Sequence, residues 1–159
     1  MTFTETNQIS TDELMLKRRN IDRDSSSPEE AKPDSVTVLP KILLVDDRSD
    51  IRRLVRITLG KSFEVFEAED GTSALEVVRQ HRPAVVVLDI MMPGELDGMQ
   101  VLDVIKADAS LASTRVIMVT ARGQVQDYES GMQRGADAYF IKPFSPLQLV
   151  ASIKEILAR

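Results

Sequence analysis

From Lys41 onward the chain alternates between short apolar runs and longer stretches in which apolar residues recur at helical spacing. The runs fall at 41–45, 63–67, 84–88, 115–119 and 138–141 and are rich in Val and Ile. Such runs are continuous rather than alternating, which is the pattern of parallel strands buried on both faces. Between and after them the spacing predicts helices at about 50–59, 71–80, 98–107, 124–134 and 146–157. Punctuation agrees: Gly60 and Gly135 follow helical stretches, Pro83 precedes the third run, and Asp50, Asp70 and Ser145 stand where caps or first-turn residues belong. Ile51, Leu54, Val55 and Thr58 on the first helix, and Leu147, Val150, Ile153 and Leu157 on the last, are expected to face the core.

Five strand–helix units joined by right-handed crossovers imply an α/β doubly wound parallel sheet in a three-layer sandwich. The favoured order for five strands is the flavodoxin-like 2-1-3-4-5, with the third strand central. Residues 1–39 differ in character. They carry three consecutive serines at 25–27, then Pro28, Glu29, Glu30 and Pro33, and few large apolar groups. This segment is expected to be a flexible N-terminal extension, with 22–39 a linker and the folded domain covering 40–159. Ser10 with Glu13 matches a capping box, and Ile9, Leu14, Met15 and Leu16 allow a short helix near 10–20, either free or docked on a surface.

Composition narrows the function classes. A chain of 159 residues has room for one well-buried domain. With aromatics at 4% and no Trp, that core must be aliphatic. A net charge of −5 and no basic run argue against direct nucleic-acid binding. The absence of Cys removes disulfides and thiolate metal sites. The opening MTFTETN is not a secretory signal, and no stretch reaches the roughly 20 apolar residues that span a bilayer. No membrane insertion and a cytoplasmic location are therefore expected.

Candidate chemistry lies where the runs end. Asp46 and Asp47, Asp89, Thr120 and Lys142 each follow or close one of them. Carboxyl ends of parallel strands converge on the rim where open α/β sheets bind ligands. Ionised carboxylates sharing one cleft need neutralising, and an all-oxygen set suits Mg²⁺, which keeps waters and accepts phosphate oxygens. An added hydroxyl and ammonium would serve a phosphoryl group joined to Asp89, which becomes the nucleophile that forms an aspartyl phosphate.

The joint pattern resembles the receiver domain of bacterial two-component response regulators, similar to single-domain types. The motifs are VDD at 45–47, LDIMMPG at 88–94, DG at 97–98, VTA at 119–121 and GADAYFIKPF at 135–144. The resemblance implies that Asp89 is phosphorylated by a histidine kinase or histidine phosphotransfer protein. It further implies that Asp47 ligates Mg²⁺ directly, Asp46 through water and Met91 through its backbone carbonyl. Thr120 would follow the phosphoryl group and draw Tyr139 inward, altering the face built from the fourth helix, fifth strand and fifth helix. Lys142–Pro143 would be cis. Two departures stand out. The loop at 94–98 is one residue longer than the common form, and Met91 and Arg122 occupy the positions flanking water's approach.

The expected protein is thus a phosphoacceptor in bacterial signalling rather than an enzyme in the usual sense, assisting its own Mg²⁺-dependent phosphorylation and dephosphorylation. Because the chain ends with the last helix, it is expected to stand alone and act through a downstream protein target, with homodimerisation on phosphorylation a further option. The competing reading is a phosphorylation-independent scaffold on the same fold. Aspartate-nucleophile phosphatases carry a second Asp where this chain has Met91, and flavin-binding loops are not evident. Tyr139 reads equally as a half-buried strand aromatic, and His81 as a surface residue rather than a phosphodonor.

Overall fold

The computed structural model describes residues 37–121 and 125–159. The possible helix near 10–20 and Arg122 lie outside them. The elements run β1 (Lys41–Val45), α1 (Ser49–Leu59), β2 (Glu64–Ala68), α2 (Gly71–His81), β3 (Val85–Asp89), α3 (Gly98–Ala107), a 3-10 helix (Ala109–Leu111), β4 (Arg115–Thr120), α4 (Val125–Gln133), β5 (Ala138–Ile141) and α5 (Pro146–Leu157). The strands form one parallel sheet in the order β2-β1-β3-β4-β5, the flavodoxin-like arrangement expected from the pattern.

Successive strand side chains point to opposite faces, so each strand feeds two cores. Leu43, Val45, Val86, Leu88, Val116 and Met118 pack with Leu75 and Val78 of α2 and Val101, Leu102 and Ile105 of α3. Ile42, Leu44, Val85, Val87, Ile117 and Val119 pack with Val55 and Leu59 of α1 and Leu149, Val150, Ile153 and Ile156 of α5. Full burial of such a side chain stabilises the fold by roughly 1.5–3 kcal/mol. All five residues of central β3 are buried, whereas the edge strand β2 exposes Glu64 and Glu67. Charge on an edge strand discourages pairing with other chains.

Two expected core residues are not in the core. Leu54 is 51% exposed and Leu147 74% exposed. On α1 the buried pair is Val55 and Leu59, one turn apart, and Leu54 is rotated about 100° off that line. On α5 burial begins at Leu149, and Leu147 sits in the first turn outside the stripe. The second strand also begins one residue later than expected, at Glu64, leaving Phe63 buried just ahead of it.

Side-chain caps open α2, α3 and α5, whereas α1 starts without one. Asp70 accepts from the Ser73 amide at 2.8 Å, Ser145 from the Gln148 amide at 3.3 Å, and Asp97 and Gln100 form a reciprocal capping box. Gly135, at φ +100°, makes the turn from α4 towards β5, a conformation that favours glycine. Among the described residues no helix is long and apolar enough to cross a membrane.

Candidate functional site

The strand register brings the candidate residues together. Val45 pairs with Leu88, which sets Asp46 beside Asp89. Asp89 pairs with Val119, so Thr120 is one residue further along the neighbouring strand, and Thr120 pairs with Ile141, placing Lys142 one residue beyond. The Lys142 amide donates to the Thr120 carbonyl at 2.7 Å, extending the β4–β5 ladder to the rim. The Lys142–Pro143 peptide is cis.

Asp46, Asp47 and Asp89 each offer a carboxylate oxygen within 4.8 Å of the other two. Asp46 and Asp89 are buried, at 6% and 4% exposure, while Asp47 opens to solvent. The Lys142 ammonium reaches back across β4 and donates to Asp46 Oδ2 at 2.6 Å and Asp89 Oδ2 at 3.0 Å. Asp89 Oδ1 accepts from the Met91 amide at 3.2 Å, and Asp46 Oδ1 from the Arg48 amide at 2.9 Å. Thr120 is 1% exposed at the end of β4.

Burial pushes the Asp89 carboxyl above its ordinary range; the Lys142 hydrogen bond opposes that rise and the Asp46 charge adds to it. For Lys142, burial alone would depress the ammonium, but its bonds to Asp46 and Asp89 and their charges outweigh it and raise its pKa. Lys142 therefore stays charged and is shared between two carboxylates. Three converging carboxylates, one of them open to water, match what a hard divalent cation with retained waters requires. The residues fit Mg²⁺.

Two contributors were not legible as site residues. Gly98, in the DG motif, reads from the sequence as a turn or helix-start residue without a role at Asp89. A Cβ there would lie 2.1 Å from the Asp89 carbonyl oxygen and 2.6 Å from Ile90 Cα, so only a bare backbone lets α3 start against the end of β3. The Gly98 amide also donates to the Ile90 carbonyl at 2.9 Å. The DG pair ahead of a helical run was the available signal. Arg52 is the second. Its Nη1 donates to the Asp46 carbonyl at 2.6 Å and its Nε to Glu67 Oε1 at 3.1 Å. The hint was an arginine about one turn into the helix that follows the Asp pair.

Tyr139 is half-buried on β5, its ring edge-on to Tyr128 at 5.4 Å and 82°. Its hydroxyl is shielded from solvent, with no partner at hydrogen-bonding geometry among the described residues. Burial raises the phenol's pKa, the Asp127 charge adds to this, and the Thr120 side chain is near enough to ease it. His81 is half-buried rather than fully at the surface, because it stacks on Phe66 at 4.2 Å. It closes α2, at the end of the sheet away from the acidic cluster. Met91, two residues past Asp89, is 51% exposed, and Met92 packs against the core.

Comparison with known proteins places this geometry. The model of the response regulator receiver domain matches residues 42–154. The probable transcriptional regulator ycf27 of Guillardia theta is 40% identical over 146 residues, which cover 91% of this chain and 52% of that protein. Transcriptional regulatory protein SrrA of Staphylococcus aureus is 40% identical over 120 residues, 75% of this chain and 48% of that protein. The chain thus spans about half the length of the curated relatives it matches. Among solved structures, a BeF3-activated DrrB receiver domain superposes with a TM-score of 0.70 at 32% identity, covering 77% of this chain and 100% of that one. Chemotaxis response regulator CheY4 of Vibrio cholerae does so with a TM-score of 0.69 at 28% identity, covering 75% of this chain and 99% of that one. With an acidic rim on a five-stranded sheet, and a family match spanning most of its length, the chain belongs to the response regulator receiver domains of two-component signalling.

Proposed function

We propose that Asp89 accepts a phosphoryl group from a histidine kinase or a histidine phosphotransfer protein and that the change is read through protein–protein contacts. The observation that carries this reading is the buried Asp89 carboxylate, hydrogen-bonded to Lys142 within a three-carboxylate cluster. A carboxylate whose basicity is raised by burial is a better nucleophile than one in water. In the proposed step an Asp89 oxygen bonds to phosphorus as the donor's P–N bond breaks. The electron pair leaves with the imidazole nitrogen, which takes a proton from solvent.

Asp47 would hold Mg²⁺ directly, Asp46 through a water and Met91 through its backbone carbonyl. When bound, Mg²⁺ supplies charge neutralisation for the phosphoryl oxygens. Lys142, on a long flexible stem, exchanges its carboxylate contacts for a phosphoryl oxygen, and the Thr120 hydroxyl donates to another. Thr120 and Tyr139 lie on neighbouring strands, so movement of Thr120 towards the phosphoryl group is passed to Tyr139 and the α4–β5–α5 face. That face is where a downstream protein, or a second copy of the chain, would sense phosphorylation.

Incubating the full chain with a small phosphodonor and Mg²⁺ should add one base-labile phosphoryl group, absent in Asp89→Asn and without Mg²⁺. Undiminished labelling of Asp89→Asn would refute the assignment.

A further inference from the structure

We infer that Arg52 is a positioning residue for the divalent-cation site, holding the peptide between Asp46 and Asp47 in the orientation that presents both carboxylates. The inference rests on the reading of that cluster as the Mg²⁺ site. The β1–β2 ladder ends at Val45↔Ala68 and the β1–β3 ladder at Val45↔Leu88. Asp46 lies beyond both, tied by its amide to the Ala68 carbonyl at 3.1 Å and by its carbonyl to the Arg52 guanidinium at 2.6 Å. That carbonyl and the Asp47 amide belong to one planar peptide unit, so a bond to one end fixes the whole plate. Pinning it sets the backbone from which both side chains leave.

Arg52 is suited to the task. Its side chain is only 15% exposed, and Glu67 on β2 fixes the other edge of its fork at 3.1 Å. A planar guanidinium braced at two edges loses little further freedom on binding the carbonyl, and a charge-assisted bond is stronger than a neutral one. Arg56 provides an internal comparison. It also binds Glu67, at 2.7 Å, but its second bond goes to the Val65 carbonyl at 2.9 Å, away from Asp46. Both arginines brace α1 on β2, and of these bonds only that of Arg52 reaches the acidic cluster.

The test is calorimetric titration of the full chain with MgCl₂, at a temperature where each variant is folded. Arg52→Met keeps the stem and removes the donors, and Mg²⁺ affinity should fall about tenfold or more, the range typical of groups that orient metal ligands. Arg56→Met should leave it within about twofold. Labelling by a small phosphodonor should show the same split, with a higher half-saturating Mg²⁺ concentration for Arg52→Met but a near-native rate at saturation. Unchanged affinity in Arg52→Met, or an equal loss in Arg56→Met, would overturn the assignment. Should Arg52→Met not fold, Arg52→Lys decides: a shorter side chain ending in one ammonium cannot reproduce the planar fork that binds Glu67 through Nε and the Asp46 carbonyl through Nη1, so native affinity in that variant would equally overturn it. Failure of the wild-type chain to bind Mg²⁺ at all would instead sink the site reading beneath it.

Discussion

The Lys142 ammonium lies 2.6 Å from the Asp46 carboxylate, across 96 residues of sequence. It sits between Asp46 and Asp89, at 2.6 and 3.0 Å, and neutralises their charge. Removing it leaves buried carboxylates facing one another, whose cost exceeds that of never having built the pair. Lys142→Met should therefore lose on the order of 3 kcal/mol in urea unfolding with EDTA present. Because Mg²⁺ no longer competes with the ammonium for Asp46, the variant should bind Mg²⁺ more tightly and be stabilised more by it than the wild type. Weaker Mg²⁺ binding would show that Lys142 does not compete for those oxygens.

Asp89 makes a pH prediction of definite sign. Its carboxyl pKa is raised in the folded chain, first by burial, so the native state holds that proton more tightly than the unfolded state. Stability from this group is then present in acid and lost as pH rises from the ordinary carboxyl range, about 3.9, through the raised native value. Asp89→Asn removes the loss while keeping an acceptor for Lys142. Thermal melts in EDTA should show the variant more stable than wild type at neutral pH, with the gap closing below about pH 4. A gap that widens on acidification would contradict the burial argument.

At Gly98 the expectation is steric. A methyl group placed 2.1 Å from the Asp89 carbonyl oxygen forces α3 and the end of β3 apart, since both atoms concerned are backbone. Gly98→Ala should cost about 3 kcal/mol, at the upper end for overpacking. Labelling of Asp89 should slow even in the fraction that remains folded. Native stability measured by urea denaturation would show that the helix can shift without penalty.

Tyr139→Phe isolates a single hydroxyl. That group is buried with no partner at hydrogen-bonding geometry among the described residues, so deleting it removes a desolvation cost and little attraction. Urea unfolding should place the variant within about 1 kcal/mol of wild type, on the stabilising side. A clear loss would mean that the nearby Thr120 side chain is already a strong partner in the unphosphorylated protein.

The sequence by itself determined the strands, their parallel association and the four rim positions, because strands buried on both faces are written as unbroken apolar runs whose carboxyl ends must share one edge. Asp46, Asp89, Thr120 and Lys142 were legible for that reason. Helix phase was harder. Around α1, Ile51, Leu54, Val55, Ile57 and Leu59 are more apolar positions than one face can bury, and packing against the sheet chose Val55 and Leu59 while leaving Leu54 and Ile57 exposed. Three-dimensional structure alone decided how Lys142 is shared between two carboxylates, that Arg52 holds the Asp46 carbonyl, and that Gly98 touches the backbone of Asp89. The Lys142 contacts join atoms 96 and 53 residues apart, a distance that only the sheet register sets, whereas the Arg52 and Gly98 contacts are short-range in sequence but depend on how a helix start sits against a strand end, about which hydrophobic periodicity carries no information.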